Sequence, residues 1–395
     1  MNVPPDKLHS DALLPTRPAY GTGSLADLLP SVSALLGVPG AHDVLGLGKH
    51  LPGIEKVAVL MVDGLGAHQL PVAAPYAPVL AGLAAGGGGH AGTLTSGFPS
   101  TTPVSLVTLG TGALPGAHGV LGFSTRKADG GILNHIRWDD DPDPRVWQPV
   151  ATRLETAAAA GVKVTQVSRP EFEGTGLTVA ANRGAAFRGA ADTVALAEQM
   201  LAALVDGSGP ALVYGYHPDL DRSGHEHGVD SESWRAAAGG VDALLDRLTG
   251  GLPAGCALLV TADHGQLNVP LAERIDLAGE PALTAGLTAV AGEPRVRYLH
   301  VADGARDDVL AAWRGVLGER AWVVTREETI EAGWYGPVPD AHRGRLGDIV
   351  VICLGRTVVL ATGYEPPAVA RLVAYHGSVT AAEMTIPLLT FCRTP

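Results

Sequence analysis

The sequence predicts an α/β protein with a mostly parallel central sheet flanked by helices and a small inserted cap. Three observations carry this expectation. Short, continuous apolar runs such as Val57 to Val62 and Ala257 to Val260 read as strands buried on both faces. Such runs alternate with stretches of helical periodicity, the signature of a parallel sheet. Several of them end abruptly in carboxylates or imidazoles, the place where open α/β sheets gather their ligands.

Composition sets the outer bounds. With 395 residues, 46% of them hydrophobic, the chain can bury a sizeable core and build one large domain plus an insertion. A net charge of -12 argues against binding nucleic-acid polymers or anionic membranes, although a metal could still draw phosphate to a local site. The opening residues Met1 to His9 lack a basic segment followed by an apolar one, which implies no secretory signal. The most apolar tail stretch, Asp348 to Gly363, is interrupted by Gly355 and Arg356, so no membrane span is expected and a cytoplasmic location is. Oligomeric state is left open. Cys256, Cys353 and Cys392 read as free thiols.

Residues 1–50, rich in Pro and Gly, read as a wrapping arm with one amphipathic piece at Leu25 to Leu36. The glycine pairs near residues 21–25 and 45–49 complete no dinucleotide or Walker pattern and read as loops. Val57 to Val62 is a strand, Leu65 to Leu83 a helix, and Thr93 to Thr95 follows a glycine turn. A second helix begins near Thr102, with Pro103 at its first position. The triplet at 139–141 reads as a solvated acidic loop. From Val150 the α/β alternation resumes: a helix to Ala160, a strand Val162 to Val167, a helix Ala191 to Val205, a strand Ala211 to Tyr216, a helix Trp234 to Leu248 and a strand Ala257 to Thr261. Residues 268–345 change texture, with strands Arg295 to Val301 and Ala321 to Thr325 and a helix Ala305 to Leu317, and read as the cap. Residues 51–267 and 346–395 are then the core, with Asp348 to Leu354 and Thr357 to Ala361 a hairpin.

The chemistry centres on Pro218 to Gly228, where Asp221 and His225 lie four residues apart and converge if the segment is helical. A carboxylate and an imidazole are ordinary divalent-metal ligands, but two do not complete a site. Asp63 at the end of the first strand, the adjacent Asp263 and His264, and the C-terminal His376 offer the rest. At Thr102 two roles are open: a helix cap, or a nucleophile whose developing charge lies at the helix's positive end.

Taken in order, Asp63, Thr102, Asp221, His225, Asp263, His264 and His376 resemble the alkaline phosphatase superfamily, and within it the type I phosphodiesterase and nucleotide pyrophosphatase branch, over residues 55–390. The resemblance implies an alkaline-phosphatase-like core with two divalent ions. Asp221, His225 and His376 match the ligands of one; Asp63, Asp263, His264 and the Thr102 hydroxyl match those of the other. The donor set suits zinc and admits manganese or iron. It further implies a hydrolase that cleaves phosphodiesters or pyrophosphates of small molecules through a transient phosphothreonine at Thr102. Phosphomonoesterases and phosphonate (C–P) hydrolases share the architecture, and a non-catalytic metal-binding protein is the rival from another class. Two departures bear on the substrate. Pro103 stands where nucleotide-cleaving relatives carry a base-stacking aromatic residue, and Phe123 where they carry an asparagine. Trp138, Trp147, Trp334 and Tyr335 are candidates for a replacement wall; Arg126, Lys127, Arg169 and Arg222 are candidate phosphate cations; His217 and His227 are surplus imidazoles, and His118 reads as structural.

Overall fold

The computed structural model describes residues 3, 6–139 and 141–393. Its centre is a seven-stranded sheet in the order Ala91–Thr95, Thr385–Arg393, Cys256–Thr261, Lys56–Val62, Ala211–His217, Lys163–Ser168, Ala186–Gly189. Five neighbouring strands run parallel, and Thr385–Arg393 with Ala91–Thr95 closes one edge antiparallel. The strand Lys56–Val62 lies in the middle, its residues Val57 to Val62 all buried, as its uninterrupted apolar run requires. Helices Thr193–Val205 and Glu232–Gly251 pack beside it and contribute Leu196, Met200, Val241 and Leu245 to one continuous core. Leu25, Leu28, Leu29 and Val32, within the first fifty residues, are also buried in that core.

Residues 268–345 contribute to a second, four-stranded antiparallel sheet in the order Leu287–Glu293, Val296–Val301, Ile349–Cys353, Ala321–Thr325. One face packs on the helix Arg306–Leu317 through Trp313 and Leu317; the other buries Tyr298, Tyr335 and Val350 with Phe98 and Val379. This overturns the expected hairpin. Ile349–Cys353 lies between Val296–Val301 and Ala321–Thr325, whereas Val358–Leu360 pairs in parallel with Arg274–Asp276. All five residues of Ile349–Cys353 are buried, and a strand covered on both faces is held by two strand neighbours rather than by the next turn in sequence.

The helix expected over Leu65 to Leu83 is broken into four short turns, the last three each starting beside a proline: Pro71, Pro75 and Pro78. The helix Gly176–Asn182 and the strand Ala186–Gly189 were not anticipated. In the acidic triplet, Asp140 lies outside the described residues, while Asp141 is exposed and pairs with Lys127 at 3.2 Å. Cys256, Cys353 and Cys392 are free. Among the described residues no helix is long and apolar enough to cross a membrane.

Candidate active site

The C-terminal ends of three adjacent parallel strands converge on one point. Lys56–Val62 leads into Asp63, Cys256–Thr261 into Asp263 and His264, and Ala211–His217 into the helix Asp219–His227, which carries Asp221 and His225 on one face. Close approach is allowed by Gly64, whose φ of +75° suits glycine and where a Cβ would stand 2.9 Å from the Asp221 Cα. His376 follows the short strand Ala374–Tyr375. Thr102 opens the helix Thr102–Thr111, so Pro103 takes the second helical position rather than the first. Thr101 takes the N-cap position and makes no side-chain cap hydrogen bond, so Thr102, the first helical residue, is not the cap.

The three imidazoles are oriented alike. His225 Nδ1 donates to the Ala374 carbonyl at 2.8 Å, His376 Nδ1 to the Ser100 carbonyl at 3.0 Å, and His264 Nδ1 to the Gly265 carbonyl at 3.2 Å. A carbonyl can only accept, so each ring carries a proton on Nδ1, and the neutral ring then keeps on Nε2 the lone pair that a metal ion takes. Those lone pairs face the carboxylates. His264 Nε2 is 3.2 Å from Asp263 Oδ2 and 3.6 Å from Asp63 Oδ1; His225 Nε2 is 3.3 Å from Asp221 Oδ2; His376 Nε2 is 3.9 Å from Asp221 Oδ1. His225 and His376 point their Nε2 atoms at one another across 3.2 Å. The Thr102 hydroxyl stands 3.1 Å from His264 Nε2.

This arrangement fits divalent cations. Lone pairs and carboxylates aimed at each other repel unless a positive charge lies between them. Asp63 Oδ1 and Asp263 Oδ2 are buried with no hydrogen-bond partner among the described residues, although their sister oxygens are well served. Tyr216 donates to Asp63 Oδ2, and the backbone N–H groups of Gly64 and His264 donate to Asp263 Oδ1 at 3.1 and 3.0 Å. Two groups bring their ligand atoms within 4.8 Å of one another: Asp63 with Asp263 and His264, and Asp221 with His264 and His376. In the second group His264 appears rather than His225, because it lies between the two clusters and its ring stacks on His376 at 3.5 Å. Burial, followed by the charges of Asp263 and Asp221, raises the Asp63 carboxyl well above its ordinary range; burial raises Asp221 too. His376 is lowered well below the usual imidazole value by burial and then by His264 and His225. Without a cation, the protein alone disfavours the charges that this cluster holds.

Thr102 and the cluster open into a cavity of about 700 Å³. Its aromatic wall is Phe123, Phe172, Tyr214, Tyr216, Tyr364 and Tyr375, not the expected tryptophans. Trp138 and Trp147 pack edge-on against each other and His135, while Trp334 and Tyr335 pack on Phe98 under the second sheet. Of the expected cations only Arg222 lines the cavity, and Asp219 holds it at 2.7 Å. Asp219 also binds Arg169, and Lys127 is taken by Asp129 and Asp141. Two further guanidiniums line the cavity: Arg297, whose Nη2 donates to both oxygens of Glu365, and Arg137, which makes no ion pair among the described residues. His217 stands 3.8 Å from Asp219, exposed His227 is beside Glu226, and buried His118 bonds Thr108 and the Val120 N–H; none of them joins the cluster. Residue reading missed Tyr216, Gln266 and Glu293. Gln266 donates to Asp221, and Glu293, its carboxyl pushed up to about 8 by burial, lies 4.0 Å from His376. Strand alternation places Tyr216 on the Asp63 face and could have found it; nothing local marks the other two.

Murine ectonucleotide pyrophosphatase / phosphodiesterase 5 superposes with a TM-score of 0.68 at 19% identity, over 86% of this chain and 88% of that one. Phosphonoacetate hydrolase from Sinorhizobium meliloti 1021, solved with phosphonoformate, superposes with a TM-score of 0.67 at 18% identity, over 87% and 91%. Another structure of the murine protein, an inactive form, holds AMP. At these identities the likeness shows the shared fold. No curated protein matches the chain. The family model for type I phosphodiesterase / nucleotide pyrophosphatase matches residues 57–378, well over half of the sequence, and the protein therefore belongs to that hydrolase family of the alkaline phosphatase superfamily.

Proposed function

We propose that this protein is a metal-dependent hydrolase of small phosphodiesters or pyrophosphates, with Thr102 as the nucleophile. The observation that carries the reading is the Thr102 hydroxyl, set at a helix N-terminus 3.1 Å from His264 Nε2 and beside imidazole lone pairs that face carboxylates. Asp221, His225 and His376 would hold one ion; Asp63, Asp263, His264 and Thr102 Oγ1 would hold the other, most readily zinc, with manganese or iron admitted by the same donors. When bound, such ions lower the pKa of an attacking hydroxyl and neutralise charge on a leaving oxygen.

The chain supplies position. Tyr216 fixes Asp63, Gln266 fixes Asp221, and backbone N–H groups fix Asp263, so the ligand oxygens cannot swing away as charge moves. Thr102 Oγ1 gives its proton to solvent and bonds to phosphorus while the opposite P–O bond breaks, and the leaving oxygen departs with the electron pair and takes a proton from solvent. Water then attacks the phosphothreonine, its oxygen staying on phosphorus, and the Thr102 hydroxyl is restored. The N-terminal end of Thr102–Thr111 faces this phosphoryl group with its unpaired N–H groups and positive dipole end.

Diesters are favoured over monoesters by the state of the cations. A monoester dianion brings one more charge, yet two of the three cavity guanidiniums, Arg222 and Arg297, are committed to Asp219 and Glu365. A phosphonate dianion would meet the same shortage in this cavity, although the fold is shared with a phosphonoacetate hydrolase. The test is kcat/KM of metal-loaded protein on matched aryl phosphate diesters and monoesters at mildly alkaline pH, with Thr102→Ala alongside. A diester preference is expected, and Thr102→Ala should keep its metal while losing at least about a thousandfold in kcat. A monoester preference would move the assignment to a phosphatase; retained turnover in Thr102→Ala would remove it as nucleophile and open the non-catalytic reading.

A further inference from the structure

Asp219 opens the helix Asp219–His227, two residues before Asp221, and one of its carboxylate oxygens serves two guanidiniums. Arg222 Nη2 donates to Asp219 Oδ1 at 2.7 Å, and Arg169 Nη2 donates to the same oxygen, while Oδ2 faces His217 Nε2 at 3.8 Å. Arg169 directly follows the strand Lys163–Ser168, and its carbonyl accepts from the Phe172 N–H, so its hold on Asp219 is anchored at the end of the sheet. Asp219 therefore keeps its place, and Arg222 comes to it.

Arg222 differs from the other paired guanidinium of the cavity. The Arg297 side chain is 2% exposed and also donates to the Val359 carbonyl, so it is built into the packing of the second sheet. The Arg222 side chain is 56% exposed, and among the described residues Asp219 is its only hydrogen-bond or ion-pair partner. It lines the same cavity as Thr102 and Asp221, so a single anchor decides whether its charge is free for a ligand there. We propose that Asp219 is a specificity-determining residue: by holding Arg222 it withholds from the cavity a cation that a doubly charged phosphoryl group would recruit, and so sets the site for singly charged esters. An exposed ion pair is a weak hold, so the discrimination it gives is about fivefold rather than absolute. The inference rests on the diester reading of the site, but binding alone tests it.

The experiment titrates zinc-loaded protein with phenylphosphonate, a dianion at mildly alkaline pH, and with its monomethyl ester, a monoanion carrying the same ring. The ratio of their Kd values isolates the second charge. Asp219→Asn keeps the shape and an acceptor oxygen but removes the charge, and should shift the ratio about fivefold toward the dianion. Adding Arg222→Gln should take that gain away, whereas Arg222→Gln alone should move the ratio by less than about twofold. Arg137 is unchanged throughout, so it drops out of the comparison. Three results would each overturn the proposal. A ratio unmoved by Asp219→Asn would mean that Arg222 is not withheld, and a gain that survives Arg222→Gln would come from the lost carboxylate charge alone. An Arg222→Gln effect just as large with Asp219 in place, at an exposed position that should not disturb folding, would mean that Arg222 already serves the ligand. The expected coupling in a protein that cleaves monoesters better than diesters would leave the hold of Asp219 on Arg222 standing and sink the diester reading instead.

Discussion

His135 is held neutral by its partners. Its Nδ1 donates to the Gly122 carbonyl at 2.9 Å, and its Nε2 accepts from Trp147 Nε1 at 3.1 Å, so a second proton would face an N–H. Burial lowers its pKa to about 4. A base with a depressed folded pKa contributes stability that is present above the unfolded value near 6.5 and is lost as pH falls toward the folded one. A shift of this size corresponds to about 3 kcal/mol across that window. Replacing His135 with Gln should therefore flatten the fall in Tm between pH 6.5 and 4 relative to the native protein, both freed of metal by chelation. Equal slopes would show that His135 does not report on acid unfolding. His118 works the same way: Nδ1 accepts from the Val120 N–H at 3.1 Å, and its pKa falls to about 3 through burial first. The structural role of His118 was readable from its place at a glycine turn, Asp63, Asp263 and His264 from strand ends, and Asp221 and His225 from their spacing, whereas His376 joined them only through its C-terminal motif and the resemblance. Gln266 and Glu293 were not, because a polar residue in a loop or at a strand end shows its purpose only once its neighbours in space are known.

At the level of elements, legibility followed how local the cause was. Lys56–Val62 and Cys256–Thr261 were readable because a strand buried on both faces must be apolar throughout, whatever lies beside it. Ala321–Thr325 and the helix Arg306–Leu317 were readable from alternation and amphipathic spacing. The pairing of Ile349–Cys353 was not, since a turn two strands share in sequence competes with partners about fifty and thirty residues away, Val296–Val301 and Ala321–Thr325. Gly176–Asn182 was hidden for another reason. Its first glycine is required by packing, since a Cβ there would stand 2.5 Å from the Trp138 ring, and a glycine that serves a distant tryptophan reads locally as a helix breaker.

At the scale of the whole molecule, one buried contact joins both sheets to the site. Arg295 and Glu383, eighty-eight residues apart, are fully buried and form two hydrogen bonds, Nε to Oε1 at 2.9 Å and Nη2 to Oε2 at 2.7 Å. Arg295 enters the strand Val296–Val301 of the second sheet. Glu383 accepts from the Ser378 N–H at 3.0 Å, two residues from His376, and its backbone carbonyl accepts from the Gly265 N–H at 2.9 Å, next to His264. One ion pair thus ties the second sheet to two of the loops that carry site imidazoles. Breaking a buried pair from one side strands a charge and costs about 3–5 kcal/mol, while removing both charges together costs far less. Glu383→Gln should lower Tm sharply, and Arg295→Met with Glu383→Leu should recover part of the loss, held short of full recovery because the Ser378 N–H then loses its acceptor. The same double variant separates stability from function: a protein that melts near the native temperature but binds metal more weakly would show that the pair sets the positions of His264 and His376, whereas native metal affinity would confine its role to holding the two sheets together.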